Sequence, residues 1–302
     1  MAAYPGQAMS FRKSKTILIG LLLFLFLIWG AVFQLPDQKL HLVFCDVGQG
    51  DAILVSYQTV QILIDGGPDN RVLNCLSRHL PFWDRKIEMI VLTHPQADHF
   101  GGLIEVIKRY SVSQFVINMA AGGEVDRPSY QEFQQVLLAE KAPVYSPRVG
   151  DQIRLGPIRF LVLWPDIHFG SLPLGGDSRG RGGGSDTLND TSIVLKLSFG
   201  HFDALLTGDI GFDIENQLDF SSGLGIEVLK VAHHGSKYST SEEFLQQIRP
   251  QLAVISVGRN RFGHPAKEVI ERLSNQAIKL LRTDQEGEIE IVSDGKKWEI
   301  NH

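Results

Sequence analysis

Cysteine is nearly absent from this chain: Cys45 and Cys75 are the only two in 302 residues. Two thiols exclude a disulfide framework and any cysteine-rich zinc module. One bridge would need an oxidising compartment, and two buried free thiols are the expectation. An excess of positive charge is also missing. The formal net charge is −5, and Arg12, Lys13 and Lys15 all precede the first acidic residue, Asp37, so the remainder is more acidic still. That balance excludes a broad nucleic-acid-coating face and makes any contact with phosphates local. Global disorder is excluded as well, because 43% hydrophobic and 21% charged residues suit a chain that buries a sizeable core. Long apolar runs are missing with one exception.

That exception is Thr16 to Phe33, which holds no charged residue. Its length is near the minimum for a helix that spans a bilayer. Three cations before it and none just after predict a cytoplasmic amino terminus with the rest of the chain outside. A cleavable signal peptide shares this order of basic and apolar regions, but Trp29-Gly30-Ala31-Val32-Phe33 offers no clean small-x-small cleavage site. The expected organisation is a basic cytoplasmic tail (1–15), a single transmembrane anchor (16–33), a tether (34–39) and one folded domain (40–302). The chain would thus be a single-pass plasma-membrane protein with its body outside the cytoplasm.

Within the body, His41 to Val47, Ala52 to Ser56 and Gln61 to Ile64 read as three tightly joined strands, an antiparallel meander. Strand and helix alternate afterwards, with helical patterns near 70–80 and 130–140. A hairpin-like pair around Gly156-Pro157 opens a second half. Ser171 to Asp186 contains six glycines with Arg179 and Arg181 and reads as a mobile surface loop.

Strand ends carry the chemistry. The apolar run Ile87 to Leu92 leads into Thr93-His94-Pro95-Gln96-Ala97-Asp98-His99-Phe100-Gly101-Gly102. Two imidazoles and a carboxylate leaving one strand end make a first-row metal site the natural reading. Asp65-Gly66-Gly67, Thr207-Gly208-Asp209, His233-His234-Gly235-Ser236 and Gly258 to His264-Pro265 also follow strands. Five of the ten histidines (His94, His99, His233, His234, His264) fall at such ends. Asp65 on its Gly-Gly turn is suited either to orienting a ligand histidine or to capping its own turn.

These segments in this order resemble the metallo-β-lactamase fold of metallo-hydrolases. The wording Asp46-Val47-Gly48-Gln49-Gly50-Asp51, Leu206-Thr207-Gly208-Asp209-Ile210, Val231-Ala232-His233-His234-Gly235-Ser236 and Ser256-Val257-Gly258 resembles, more narrowly, the soluble hydrolase domain of the competence DNA-uptake channel ComEC. The resemblance spans roughly residues 40–295 and suggests a membrane-anchored, stand-alone relative. It implies an α/β (α+β) fold, a four-layer αββα sandwich with the site at one edge, preceded here by one transmembrane helix. Carried over by position, Asp98, His99, Asp209 and a histidine of the 233–234 pair, His233 foremost with His234 as the alternative, would hold one divalent metal. His94 would help hold a second, bridged by Asp209, and Asp65 would support the ligands. Gln96 and Asn189 stand where the family pattern has histidines. Their loss strips nitrogen from one metal position, so one or two ions are implied, with Mn²⁺ or Mg²⁺ favoured over Zn²⁺ at the depleted position.

A bound metal would acidify a water, and Asp98 is placed to orient or deprotonate it. His264 is suited to protonating a leaving oxygen, and Arg259 and Arg261 to gripping a phosphate by paired hydrogen bonds. The expected activity is a metal-dependent phosphodiesterase, a nuclease acting on DNA during competence-related uptake or scavenging, with DNA-uptake machinery as a possible partner. Hydrolysis of a small lactam, lactone or ester, and a non-catalytic nucleic-acid or partner-binding module, are the alternatives.

Overall fold

Alternation along the strands decides the architecture. In β1 (Leu40–Phe44), Leu40, Leu42 and Phe44 enter one buried cluster while Val43 enters another. In β2 (Ile53–Tyr57), Ile53 and Val55 go to the first and Leu54 to the second. Successive strand residues face opposite sides, so a strand apolar at every position must be covered on both faces. The computed structural model bears this out over residues 7–33, 36–118, 128–166, 188–220 and 225–301, which are the ones it describes.

The remaining strands of the first half are β3 (Val60–Ile64), β4 (Lys86–Ile87), β5 (Met89–Leu92), β6 (Ser111–Val112), β7 (Phe115–Ile117) and β8 (Val144–Tyr145). The second half contains β9 (Gln152–Leu155), β10 (Ile158–Trp164), β11 (Val194–Phe199), β12 (Phe202–Leu206), β13 (Val228–Lys230) and β14 (Leu252–Ile255). The chain closes with β15 (Lys279–Arg282), β16 (Ile289–Ser293) and β17 (Trp298–Asn301). One sheet has the order β17-β16-β1-β2-β3-β5-β7-β8 and the other β15-β14-β13-β12-β11-β10-β9, while β4 and β6 pair separately. The β1-β2-β3 meander is antiparallel, and β3-β5-β7-β8 and β12-β13-β14-β15 are parallel.

Three buried clusters mark the interfaces of four layers. Leu42, Phe44, Leu195, Leu197 and Leu206 lie between the sheets. Val72, Leu76, Leu103 and Phe133 bring the helices Arg71–His79, Leu103–Arg109 and Pro128–Glu140 onto the first sheet. Phe244, Leu245, Val269 and Leu273 bring Glu242–Ile248 and Lys267–Asn275 onto the second.

The expectation of two free thiols is overturned. Cys45 and Cys75 form a disulfide with their Cα atoms 5.8 Å apart. Cys45 directly follows the first strand and Cys75 lies on the helix that packs over that sheet, and that adjacency is invisible at a separation of 30 residues. The segment 171–186, read as a mobile loop with Arg179 and Arg181, lies outside the described residues.

Residues 1–37 and 38–302 are separate compact units. The first contains a helix, Gln7–Phe33, along which Ile17 to Phe26 and Trp29 expose apolar side chains. Its described side chains cover 15–26 and 28–30, and among the described residues no helix is long and apolar enough to cross a membrane.

Candidate metal centre

The centre is built on loops that leave neighbouring strand ends. Asp65 follows β3 with φ 58°. Its carboxylate accepts from Thr93 N (2.8 Å), Thr93 Oγ1 (2.7 Å) and His99 Nδ1 (2.8 Å), which fixes the loop after β5 onto the turn after β3. Glycine is required at position 50, where φ is 143° and a Cβ would overlap the Asp98 carbonyl. That close approach lets Asp51 N donate to Asp98 O at 3.2 Å and brings Asp51 under the site.

On the second sheet His233 and His234 both adopt the left-handed region (φ 51° and 52°). This conformation costs a non-glycine residue roughly 1–2 kcal/mol, and here it turns His234 inward. His234 Nδ1 donates to Ser256 O at 2.9 Å, and its Nε2 lies 3.3 Å from Asp209 Oδ2 and 3.6 Å from Asp98 Oδ2. His99 mirrors it, with Nε2 3.3 Å from the same Asp209 oxygen. Two imidazoles are therefore each anchored through Nδ1 by an acceptor and present Nε2 to a shared carboxylate. This is the usual posture of metal-ligating histidine.

Charge follows the geometry. Burial opposes protonation of His99, but Asp209 and Asp65 outweigh it and hold the imidazole well above the ordinary histidine value. Burial likewise works against His234, yet Asp209 and Asp51 raise it to about 10. Burial works against the Asp209 carboxylate too, but His234, His99 and Lys230 keep it well below its usual range. Protonated, these imidazoles neutralise the carboxylates around them, and binding of a divalent ion by the same nitrogens would require loss of those protons. Asp51, His99, Asp209 and His234 form a buried group whose ligand atoms lie within 4.8 Å of one another. Within it Asp51 is set apart: it is ion-paired to Lys230, whose Nζ also donates to Gly208 O at 2.8 Å and lies 3.4 Å from Asp209 Oδ1. Its oxygens lie 3.6 Å and 3.8 Å from the Nδ1 atoms of His234 and His99, which already serve Ser256 and Asp65. Asp51 and Lys230 thus form a charge pair against His99, Asp209 and His234. Cys45, Cys75 and Glu288 also group, but the two sulfurs are joined and offer no thiolate.

His94 is buried, its Nδ1 is 3.1 Å from Thr93 Oγ1 and 3.3 Å from Ser192 Oγ, and its Nε2 makes no hydrogen bond among the described residues. Burial and the charge on His99 hold His94 neutral. Gln96 Nε2 donates to Asn189 Oδ1, and Asn189 Nδ2 lies 3.2 Å from His233 Nε2. Gln96 and Asn189, which stand where the resemblance implies histidines, are thus bonded to each other, and His233 lies against Asn189. Within the 233–234 pair, two consecutive left-handed residues aim the second one inward, and it is His234 that falls in the buried group with Asp51, His99 and Asp209. His264 is also not what its position suggests. Burial and the neighbouring His233 and His234 push it down to about 4, so it is neutral at pH 7 and poorly suited to protonating a leaving group. Arg259 and Arg261 are exposed on the loop after β14.

Sequence reading missed Asp51, Lys230, Ser256 and Asn260. Asn260 braces the last loop by donating to Gly258 O and His264 O (both 2.8 Å) and accepting from Phe262 N (3.0 Å) and His264 N (3.1 Å). The signal for Asp51 was present in Gly50-Asp51, a turn after a strand like the other site loops.

Residues 45–259 match the sequence family described as the Metallo-beta-lactamase superfamily. The chain belongs to this superfamily. Its curated relatives include proteins named for competence and recombination. ComE operon protein 3 of Bacillus subtilis (strain 168) is 31% identical over 265 residues, covering 81% of this chain and 32% of the relative. Recombination protein 2 of Haemophilus influenzae is 30% identical over 253 residues, covering 82% and 28%. The chain therefore spans about a third of the length of the curated relatives it matches. Among solved structures, the metallo-beta-lactamase fold protein YhfI of Bacillus subtilis superimposes with a TM-score of 0.54 at 10% identity, covering 83% of this chain and 99% of that one. That likeness shows the fold. The chain is thus a superfamily metallo-hydrolase with a buried His/Asp site suited to a divalent metal.

Proposed function

We propose that this protein is a metal-dependent phosphodiesterase that cleaves DNA outside the cytoplasm, in competence-related uptake or scavenging. The observation that carries the proposal is the convergence of His99 Nε2 and His234 Nε2 on Asp209, with Asp98 beside them. In a superfamily hydrolase whose curated relatives include proteins named for competence and recombination, that convergence favours nucleic acid as substrate. Asp98, His99, Asp209 and His234 would hold one divalent ion, Mn²⁺ or Zn²⁺. When bound, the ion supplies Lewis acidity and an acidified water at neutral pH.

The chain's own groups do the rest. Asp98 is the site carboxylate that reaches solvent, with 29% of its side chain exposed against 1–2% for Asp51, Asp65 and Asp209. It would orient the attacking water through a hydrogen bond. Burial works against its ionisation, but His234 and His99 hold its carboxyl well below the usual carboxylate range, which makes it a hydrogen-bond acceptor rather than a strong base. His264, neutral, would donate an N–H hydrogen bond to a phosphate oxygen, and Arg259 and Arg261 would meet neighbouring phosphates. The Gln96–Asn189 pair closes the position of a second ion, so one ion is the working complement, and hydrolysis of a lactam by a pair of zinc ions is disfavoured.

The Cys45–Cys75 disulfide and the uncharged segment 16–33 support an extracytoplasmic hydrolase unit (40–302) behind a membrane anchor, with residues 1–15 in the cytoplasm. The reading is tested by incubating the protein with plasmid and oligonucleotide DNA and Mn²⁺. Loss of activity in EDTA and in Asp209→Asn is expected. Activity that survives either treatment would refute it.

A further inference from the structure

Outside the N-terminal helix, the exposed aromatic side chains among the described residues are Phe82, Trp83, Tyr145, Tyr238 and Phe262. Single exposed apolar residues are ordinary, but Tyr238 and Phe262 stand on the two loops that border the metal centre. Tyr238, 65% exposed, lies four residues beyond the ligand His234, and Lys237 Nζ sits 4.9 Å from its ring centroid. Phe262, 63% exposed, lies between Arg261, whose Cζ is 5.7 Å from its ring, and His264, on which it stacks at 5.8 Å and 29°. His264 in turn meets the ring of His233 at 5.4 Å. A line of rings therefore runs from solvent at Phe262 inward to the centre. The loops carrying it are braced: Asn260 makes four hydrogen bonds within its own loop, and Ala266 N donates to Gly235 O at 2.8 Å to join the two loops. Holding two large aromatic rings in water on rigid loops gains nothing for folding.

We infer that Tyr238 and Phe262 are stacking platforms for unpaired nucleobases, which makes a single strand, rather than a duplex, the ligand of this rim. The chemistry is specific to that class. An aromatic face accepts any exposed base, and an adjacent cation meets the phosphate beside it, a pairing that appears here as Lys237-Tyr238 and Arg261-Phe262. Bases in a duplex are already stacked and hide their faces, so two isolated rings on short loops gain little from double-stranded DNA. In a net acidic chain, local cations paired with rings provide the affinity that overall charge does not. The inference rests on the phosphodiesterase reading only in naming the same site as the destination of the strand.

The test is equilibrium binding of the full chain in EDTA, so that nothing turns over, followed by fluorescence anisotropy. Three probes of equal length are used: oligothymidylate, an abasic oligomer with the same phosphates, and a duplex. Oligothymidylate is expected to bind tightest. Phe262→Ala and Tyr238→Ala should each weaken it by about 5- to 150-fold, the range found for one stacked base, and leave the abasic oligomer unchanged. Phe262→Trp should restore binding. Both residues are exposed, and an unchanged melting temperature would verify that the variants fold. Equal loss on the abasic probe, or no loss on oligothymidylate, overturns the inference. Base-dependent binding without cleavage in Mn²⁺ would uphold the rim and defeat the phosphodiesterase reading, whereas cleavage with base-independent binding would do the reverse.

Discussion

Reducing or removing the disulfide should destabilise the hydrolase unit by an amount that its position in the chain sets. Cys45 and Cys75 are separated by 30 residues. Closing a loop of that size removes unfolded-state entropy worth about 3.6 kcal/mol at 25 °C. For a domain of this size each kcal/mol shifts the melting temperature by roughly 2–4 °C, so a fall of about 7–14 °C is expected. The bridge also ties Cys45, which follows β1 on the approach to the Gly50-Asp51 turn, to the helix covering that sheet. Calorimetry of the protein from Gln38 onward, oxidised and after reduction under denaturing conditions and refolding in reductant, measures the effect. Cys45→Ala/Cys75→Ala should match the reduced form to within the small loss from two deleted buried sulfurs. Oxidised and reduced proteins that melt within about 2 °C of each other would refute the reasoning, and with it the support the bridge lends to an extracytoplasmic unit.

Further outcomes follow from the centre. His234→Ala should abolish tight Mn²⁺ or Zn²⁺ binding, while His233→Ala should leave most of it, as measured by metal content after gel filtration. Gln96→His/Asn189→His should raise the bound divalent metal from one to two equivalents per chain, read by native mass spectrometry; a second equivalent in the unaltered protein would contradict the single-ion reading. In EDTA, stability should fall as pH rises. His234 is raised to about 10 from an ordinary value of 6.5, so its stabilising contribution is complete below pH 6.5 and lost on passing through about 10. Melting temperatures across pH 6–10 measure this, and apparent metal affinity should move the opposite way, weakening toward low pH as protons compete for the same nitrogens.

Much of the sandwich was legible because its information is local. Runs such as Met89–Leu92 and Leu252–Ile255, short, apolar at every position and followed by turn residues, read as strands covered on both faces, and the tight turns joining the first three strands leave antiparallel pairing as the outcome. The loops of the centre were legible for the same reason, since each follows such a strand. What was not legible depends on distant partners or on backbone dihedrals. The choice between His233 and His234 rests on two left-handed φ angles that no residue type announces. The Gln96–Asn189 bond joins residues 93 apart, and the Asp51–Lys230 ion pair joins opposite sheets. The neutral state of His264 comes from burial among other imidazoles, which its place after a strand does not reveal.

The most direct measurement is cleavage of fluorescent single-stranded DNA by the protein from Gln38 onward, with Mn²⁺, beside the same protein carrying Asp98→Ala. Cleavage that depends on added metal and falls at least a hundredfold in the variant, as loss of the carboxylate that orients the attacking water implies, is the predicted result. DNA left intact by the unaltered, metal-loaded protein, or cut equally by both, would contradict the account.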